Sequence, residues 1–166
     1  GIKKTFEYIN QTGIYNAYVG YRSGFGVSGN SNSYNVGLGY NSLNGISTGT
    51  HNTALGYQAG KVITTGTENV VIGSEAGKSL VDVDDTVLIG RLAGQNINSA
   101  DADGTVAIGY ESSTALTSGA NQVSIGYQAG KALTTSANST FIGYQAGLEH
   151  TGLNNLAIGD RAFSST

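Results

Sequence analysis

Acidic side chains are concentrated in one stretch of this chain, and metal binding is the first chemistry that they suggest. The stretch contains Asp82, Asp84, Asp85, Asp101 and Asp103. Carboxylate oxygens are the ligands that Ca²⁺ prefers, so acidic segments on neighbouring turns of a fold could bind this ion. The spacing fits neither the EF-hand, which needs a more distant glutamate, nor the nonapeptide calcium-binding repeat. We therefore predict solvated loops here and no cofactor, and we keep Asp82, Asp84, Asp101 and Asp103 as alternative candidates for a metal site.

Catalytic patterns are missing from the sequence. There is no cysteine, no serine in a G-x-S-x-G motif, and no pair of acids on a repeated face. His51 is predicted to be an exposed loop residue, and His150 is predicted to mark a local irregularity of the repeat. Alternatively, in a trimer, an inward histidine would meet two copies of itself and could bind a metal. We predict that the chain is not an enzyme. A polysaccharide-cleaving β-helix stays open as a third alternative, because related folds carry such sites.

Tyrosines recur at one position of a repeat and offer a second kind of chemistry. They are Tyr21, Tyr40, Tyr57, Tyr110, Tyr127 and Tyr144. One interpretation is a row of aromatic platforms for sugar rings, with Tyr57, Tyr127 and Tyr144 as the candidate surface contacts. The other is a structural ladder in which each ring packs on its neighbour. We favour the ladder, because a periodic residue usually serves the repeat itself.

A glycine repeat defines the elements that must position these side chains. A landmark glycine follows an aliphatic residue nine times, at intervals of 19, 17, 17, 17, 19, 17, 17 and 16 residues. Such a period indicates one small unit stacked on itself. These glycines are predicted to form the repeat turn: Gly20, Gly39, Gly56, Gly73, Gly90, Gly109, Gly126, Gly143 and Gly159.

The residues around each landmark predict strands and a core. The residue before the landmark and the residue three before it share one face of a strand, and we predict that this face is buried. The predicted repeat core is Val19, Leu38, Leu55, Ile72, Ile89, Ile108, Ile125, Ile142 and Ile158. Alanine or serine lies three after the landmark, glycine usually lies four after, and a second aliphatic row lies seven after, from Val27 onward. Each unit therefore reads as a strand, a glycine corner, a second short strand and a polar loop.

Asparagine recurs four residues before the landmark. It is found in five units, at Asn16, Asn35, Asn52, Asn69 and Asn155. Stacked amides hydrogen-bond to one another when equivalent residues lie in a column. We predict a side-chain ladder at a corner of the coil.

Composition excludes several function classes. Charged residues make up only 11% of the chain and the net charge is −3, so no basic surface for nucleic acid is expected. No apolar stretch reaches the roughly 18 residues of a membrane span, so no membrane insertion is expected. A chain that begins with glycine and contains no methionine is expected to be a piece of a longer protein.

The fold class predicted from these patterns is all-β, a parallel β-roll or β-solenoid of about nine 17-residue turns. Such a coil is thin, and its second strand face carries apolar residues such as Val71, Leu88 and Phe141. Packing against other chains would supply a second hydrophobic layer. We predict self-association into a parallel homotrimer. Residues 1–13 are predicted to be an N-terminal cap or joint, and residues 14–166 the repeat domain.

Three segments resemble a known family. Asn52-Thr-Ala-Leu-Gly-Tyr-Gln-Ala-Gly60, residues 69–77 and residues 139–147 are similar to head repeats of trimeric autotransporter adhesins and to related repeats of phage tail fibres. The resemblance spans residues 14–163 and implies a left-handed β-roll in a homotrimer. The longer unit and the missing second Ala-x-Gly step depart from the adhesin pattern and favour the tail-fibre branch.

The resemblance implies a function as a rigid fibre. The leading hypothesis is a structural and receptor-binding segment of a phage tail fibre, at the virion surface, whose outer loops around residues 20–39 and 95–105 contact a host glycan or protein receptor. The alternative is a bacterial trimeric surface adhesin or extracellular filament. A membrane-anchor region in the flanking sequence would favour the adhesin, and a virion-attachment region the fibre.

Overall fold

The structure is a computed structural model that describes residues 13–26 and 31–164. The described chain is an all-β solenoid of about eight turns of about 17 residues. Each turn contributes one three-residue strand, and the only helical element within these residues is a single 3₁₀ turn at Ala100–Ala102. The strands are β1 (Ala17–Val19), β2 (Val36–Leu38), β3 (Thr53–Leu55), β4 (Val70–Ile72), β5 (Val87–Ile89), β6 (Val106–Ile108), β7 (Val123–Ile125), β8 (Thr140–Ile142) and β9 (Leu156–Ile158).

All nine strands form one parallel sheet in chain order, from β1 to β9. The register pairs equivalent residues: Ile72 lies opposite Ile89, and Ile108 lies opposite Ile125. The predicted columns of equivalent side chains are therefore confirmed. At about 4.8 Å per strand, the stack is on the order of 40 Å long.

The core of the chain lies on the opposite side of the sheet from the one predicted. The middle residue of each strand points inward, and six of the nine, from Ala54 to Phe141, are fully buried. The nine predicted core residues point outward instead: Val19 is 57% exposed, Ile158 is 64% exposed, and the central members of the row are half-buried. The prediction that Val19, Leu38, Leu55, Ile72, Ile89, Ile108, Ile125, Ile142 and Ile158 form the core of the coil is wrong. The interior is narrow, and the mixed small and large residues of the middle column are the ones that fill it.

Size alternation along the middle column explains how the interior is packed. Tyr18 lies above Gly37, where an added Cβ would come within 2.8 Å of the tyrosine ring. Phe141 lies between Ser124 and Ala157. Two further inward columns complete the core: the alanine and serine row three after the landmark, and the aliphatic row seven after, which is fully buried from Ile46 to Leu133. Each large side chain occupies space that a small neighbour leaves.

The predicted second strand of each unit is absent from the described residues. The aliphatic row seven after the landmark is buried, as expected for a core row, but it lies in turns. The cause is the backbone before it: the residues two and four after the landmark have φ near +50° to +64° in the nine turns, which interrupts an extended strand. Inter-turn backbone hydrogen bonds continue there, as from Gly60 N to the carbonyl of Ala76 at 3.0 Å.

The two 19-residue units differ from the rest by a local insertion. In the unit that ends at Gly109, the additional residues are accommodated by the 3₁₀ turn, in which the Asp101 backbone amide donates to the Ser99 side chain. In the unit that ends at Gly39, residues 27–30, including the predicted core residue Val27, lie outside the described residues. Residues 1–12, the bulk of the predicted cap, also lie outside them.

Candidate functional site

The outer face of the sheet is an uncharged aliphatic surface. It consists of the first and third residues of every strand, and each is valine, isoleucine, leucine, threonine or alanine. At the ends the side chains are largely exposed, as in Leu38 at 50% and Leu156 at 72%; in the middle they are half-buried. Parallel sheets are almost always covered on both faces. Contiguous exposed apolar faces are typical of surfaces that bind another molecule.

The tyrosine column runs along the corner next to this face. Its rings stack in two runs of three, with interplanar angles between 12° and 19°. Ring centroids are 5.2 Å apart for Tyr21–Tyr40, 5.4 Å for Tyr40–Tyr57, 5.2 Å for Tyr110–Tyr127 and 5.3 Å for Tyr127–Tyr144. The structure thus forms the ladder predicted from the spacing. Rings inside a run present their edges to solvent and are not open platforms.

Arginine side chains cover three ends of the two runs. Arg22 lies 5.6 Å from the centroid of Tyr21, Arg161 lies 5.6 Å from that of Tyr144, and Arg91 lies 5.5 Å from that of Tyr110. These are cation–π distances. Between the runs, the position of the tyrosine is taken by Ser74 in one turn and Arg91 in the next.

A second aromatic stack was missed by sequence reasoning. Tyr15, Tyr34 and His51 lie five residues before successive landmarks, and their rings stack at 5.0 Å and 4.8 Å. All three have φ close to +60°, as does every non-glycine residue in this column. Their shared position in the repeat was the signal that could have found them. His51 is exposed, as predicted.

The asparagine column forms a buried ladder, as predicted. The Asn52 side-chain amide donates to Asn35 Oδ1 at 3.1 Å and to the Gly66 carbonyl at 2.8 Å. Its own Oδ1 accepts the Asn69 amide at 2.9 Å. The ladder continues to Thr86, whose hydroxyl donates to Asn69 Oδ1 at 2.6 Å. These bonds satisfy polar groups inside the coil and tie each turn to the next.

A polar ladder two residues after the landmark was not predicted. Arg161 donates to Gln145, Gln145 donates to Gln128 at 2.9 Å, and Gln128 donates to Glu111 Oε2 at 2.8 Å. Lys131 Nζ pairs with the same oxygen at 2.7 Å. The hydrogen bonds from Lys131 and Gln128 lower the pKa of Glu111 to about 2. These contacts depend on side-chain conformation, which the spacing alone does not reveal.

Two of the acidic residues accept hydrogen bonds from backbone amides of neighbouring turns. Asp84 Oδ1 accepts from the Thr67 amide at 2.6 Å, and Asp103 Oδ1 accepts from the Asp84 amide at 2.8 Å. Asp82 and Asp101 are exposed. Within residues 13–26 and 31–164, no three or more histidine or acidic side chains are gathered as a metal site would require.

His150 closes the end of the interior instead of approaching His51. Its ring lies 4.4 Å from that of Phe163 and 6.0 Å from that of Phe141, and its Nε2 is buried without a hydrogen-bond partner. It occupies the last position of the aliphatic row. The irregularity predicted at this residue is therefore the end of the core.

The landmark glycines form the corner after each strand. Their φ values lie between 128° and 136°, a region that side chains disfavour. A Cβ at Gly56 would lie 2.6 Å from the carbonyl oxygen of Gly73, so the glycine backbones of adjacent turns are in direct contact. Only glycine meets both demands.

Comparison of the chain with protein-family models, curated proteins and solved structures yields no match. Across the part of the chain that the structure describes, no helix has the length and apolar character needed to cross a bilayer.

Proposed function

We propose that this chain is a structural and receptor-binding segment of a fibre of the phage tail-fibre type, assembled as a parallel homotrimer. The observation that carries the proposal is the uncharged aliphatic face along the outside of the nine-stranded sheet. A solenoid that acts as a monomer in water would place polar side chains there, because antiparallel and solvent-facing sheets alternate apolar and polar residues.

Self-association is the simplest way to cover this face. No charged residue interrupts it, so it offers no charge pattern for a different, charged partner. A second copy of the chain has the same rise per turn, so aliphatic rows of two parallel copies stay aligned over the whole length. Each half-exposed aliphatic side chain gains on the order of 1 kcal/mol when it is covered, and the gain repeats in every turn.

Three parallel copies around a common axis would place the outer faces toward one another. Equivalent strands would then lie at one height, and the aliphatic rows of the three copies would face one another at the same level. The number of chains and their parallel direction come from the resemblance to tail-fibre and adhesin repeats. Stacked strands along the axis make such an assembly a stiff rod.

The mechanical role we propose is reach and rigidity outside the cell, on a virion surface. Attachment to a surface glycan or protein would use the loops and corners that remain outside the trimer. We propose no catalytic role: Asp84 and Asp103, stacked in adjacent turns, both accept backbone hydrogen bonds that fix the loop.

The test is the dependence of melting temperature on protein concentration. If folding and association are coupled, the melting temperature of the unaltered protein rises over about a hundredfold range of concentration. Ile89→Lys puts a charge in the middle of the outer face and is expected to lower the melting temperature and to abolish its dependence on concentration. Thr65→Lys, in an exposed loop, is the matched control and is expected to behave like the unaltered protein. A melting temperature of the unaltered protein that is independent of concentration would refute coupled assembly.

A further inference from the structure

One ring face in the tyrosine column is open. Of the six stacked tyrosines, five have both faces covered by a neighbouring ring or by an arginine. Tyr57 is stacked on Tyr40 on one side only, and no ring or cation of the described residues covers its other face. It is also the most exposed of the six, at 48%.

The open face of Tyr57 borders a notch, which is defined by Tyr57, Ser74 and Arg91. Ser74 takes the tyrosine position in the middle turn, so the walls are separated by two strand spacings, about 9.6 Å. The backbone beneath is fixed, since the Tyr57 carbonyl accepts the Glu75 amide at 2.8 Å and the Ser74 carbonyl accepts the Leu92 amide at 3.0 Å.

The far wall of the notch is a guanidinium held in place. Arg91 lies over the Tyr110 ring and donates from Nη1 to the Tyr110 hydroxyl at 3.2 Å. Because Arg91 belongs to the turn between those of Ser74 and Tyr110, its guanidinium lies on the Ser74 side of the Tyr110 ring. The notch has the width of one missing tyrosine and is bordered by an aromatic ring on one side and a guanidinium on the other.

Polar groups at the floor and rim are available to a ligand. The Ser74 hydroxyl makes no hydrogen bond to another described residue, and Ser74 is partly exposed. Glu75 Oε2 is held by Lys78 Nζ at 2.9 Å and Gln95 Nε2 at 3.0 Å, which leaves Oε1 without a partner among the described residues. Donors and acceptors around an apolar plane suit a molecule with a hydrophobic face and a rim of hydroxyl groups.

We propose that this notch binds one pyranose ring of a surface saccharide. The C–H face of the sugar would stack on Tyr57, with its hydroxyls accepting from Arg91 and Ser74 and donating to Glu75 Oε1. A purely aromatic ligand would stack on Tyr57 but leave these polar groups unused. The proposal deepens the proposed function and rests on it in one respect, that a surface-attachment fibre needs a ligand site outside its own interface.

The experiment is saturation-transfer NMR on the assembled protein with the methyl glycosides of glucose, galactose, mannose and N-acetylglucosamine, and with indole as the aromatic comparison. At least one glycoside is expected to bind saturably. Ser74→Tyr continues the column through the notch and is expected to abolish that binding while the protein stays folded. Tyr57→Ser is expected to weaken it about tenfold, by loss of the stacking wall.

The control variant is Tyr127→Phe, which keeps a ring between Tyr110 and Tyr144 and opens no new gap in the column, and which is expected to leave glycoside binding unchanged. The proposal is overturned if none of the four glycosides binds, if binding persists in Ser74→Tyr, or if only indole binds. None of these results bears on assembly, because Ser74 and Tyr57 lie outside the aliphatic face. Conversely, a monomeric protein that still bound a glycoside at the notch would refute the fibre proposal and leave the notch proposal standing.

Discussion

Ser113 occupies a position at which six of the nine turns have glycine. Its φ is 48°, its side chain is completely buried, and its hydroxyl has no hydrogen-bond partner. A left-handed conformation costs a non-glycine residue about 1–2 kcal/mol, and a buried unpaired hydroxyl adds about 1 kcal/mol or more. Against this, glycine loses more backbone entropy on folding. Ser113→Gly is expected to raise the free energy of unfolding by about 1 kcal/mol, measured by urea denaturation.

Ser113→Ala separates the two contributions. It removes the hydroxyl but keeps the left-handed backbone strain, so it is expected to gain less stability than Ser113→Gly. If Ser113→Gly were less stable than the unaltered protein, the hydroxyl would have a bonding role that the structure does not contain.

Glu111 makes stability depend on pH in the acid range. Its carboxyl has a pKa of about 2 in the folded chain, against an ordinary 4.5, because Lys131 and Gln128 hydrogen-bond to it. A lowered folded-state pKa stabilises the fold above the ordinary value, and this contribution is lost as the pH falls from about 4.5 toward 2. Glu111→Gln is therefore expected to be less stable than the unaltered protein at pH 7, and the difference is expected to vanish near pH 2.

The measurement is urea denaturation of both proteins from pH 7 to pH 2. Glu68→Gln is the control, because the Glu68 side chain is exposed and makes no ion pair with another described residue. A difference between Glu111→Gln and the unaltered protein that stayed constant with pH would show that the ion pair is not its source.

At the scale of the element, substitutions at the corner after each strand test why glycine is required there. Gly56→Ala would put a methyl group 2.6 Å from the Gly73 carbonyl at a φ of 136°. Gly159 has a similar φ of 128°, but the nearest atom to an added Cβ there is 3.9 Å away. Both substitutions carry backbone strain of about 1–3 kcal/mol, and only Gly56→Ala adds a steric clash with the next turn.

Thermal denaturation by circular dichroism is expected to give a clear order: the unaltered protein, then Gly159→Ala, then Gly56→Ala with the lowest melting temperature. Equal melting temperatures for the two variants would mean that contact between stacked glycines contributes nothing, and that the requirement for glycine is conformational alone.

The strands and their register could be predicted from the sequence, but the buried face could not. The period placed Ile72 above Ile89, and every strand was found where an aliphatic residue precedes a landmark. The outward row is more uniformly aliphatic than the inward one, so residue type alone indicated the outward row as the core. The inward column, with Gly37, Ala54 and Phe141, looked mixed because it has to fill a narrow space.

For the candidate surfaces, the sequence predicted which residues share a column but not the contacts that their side chains make. Spacing was enough to place the tyrosines and the asparagines in ladders. The arginines that cover the ends of the tyrosine runs, and the open ring face of Tyr57, depend on where long side chains point. The Glu111 ladder was hidden for the same reason, since its hydrogen bonds depend on the conformations of the Gln128 and Gln145 side chains.

At the scale of the whole molecule, the coil carries two candidate binding surfaces, the aliphatic face and the notch. The aliphatic face extends over all nine strands, whereas the notch at Ser74 occurs once within residues 13–26 and 31–164. A face that repeats in every turn suits assembly, because its energy grows with length. A site formed by an interruption of the repeat suits recognition, because it gives the rod one distinct place.

The central claim is that the aliphatic face of the sheet is covered by copies of the same chain. Sedimentation equilibrium of the unaltered protein tests it most directly. The account predicts a mass of about 51 kDa, three times the 17.0 kDa of one chain. A stable particle of 17.0 kDa, with the outer faces of its strands open to water, would contradict it.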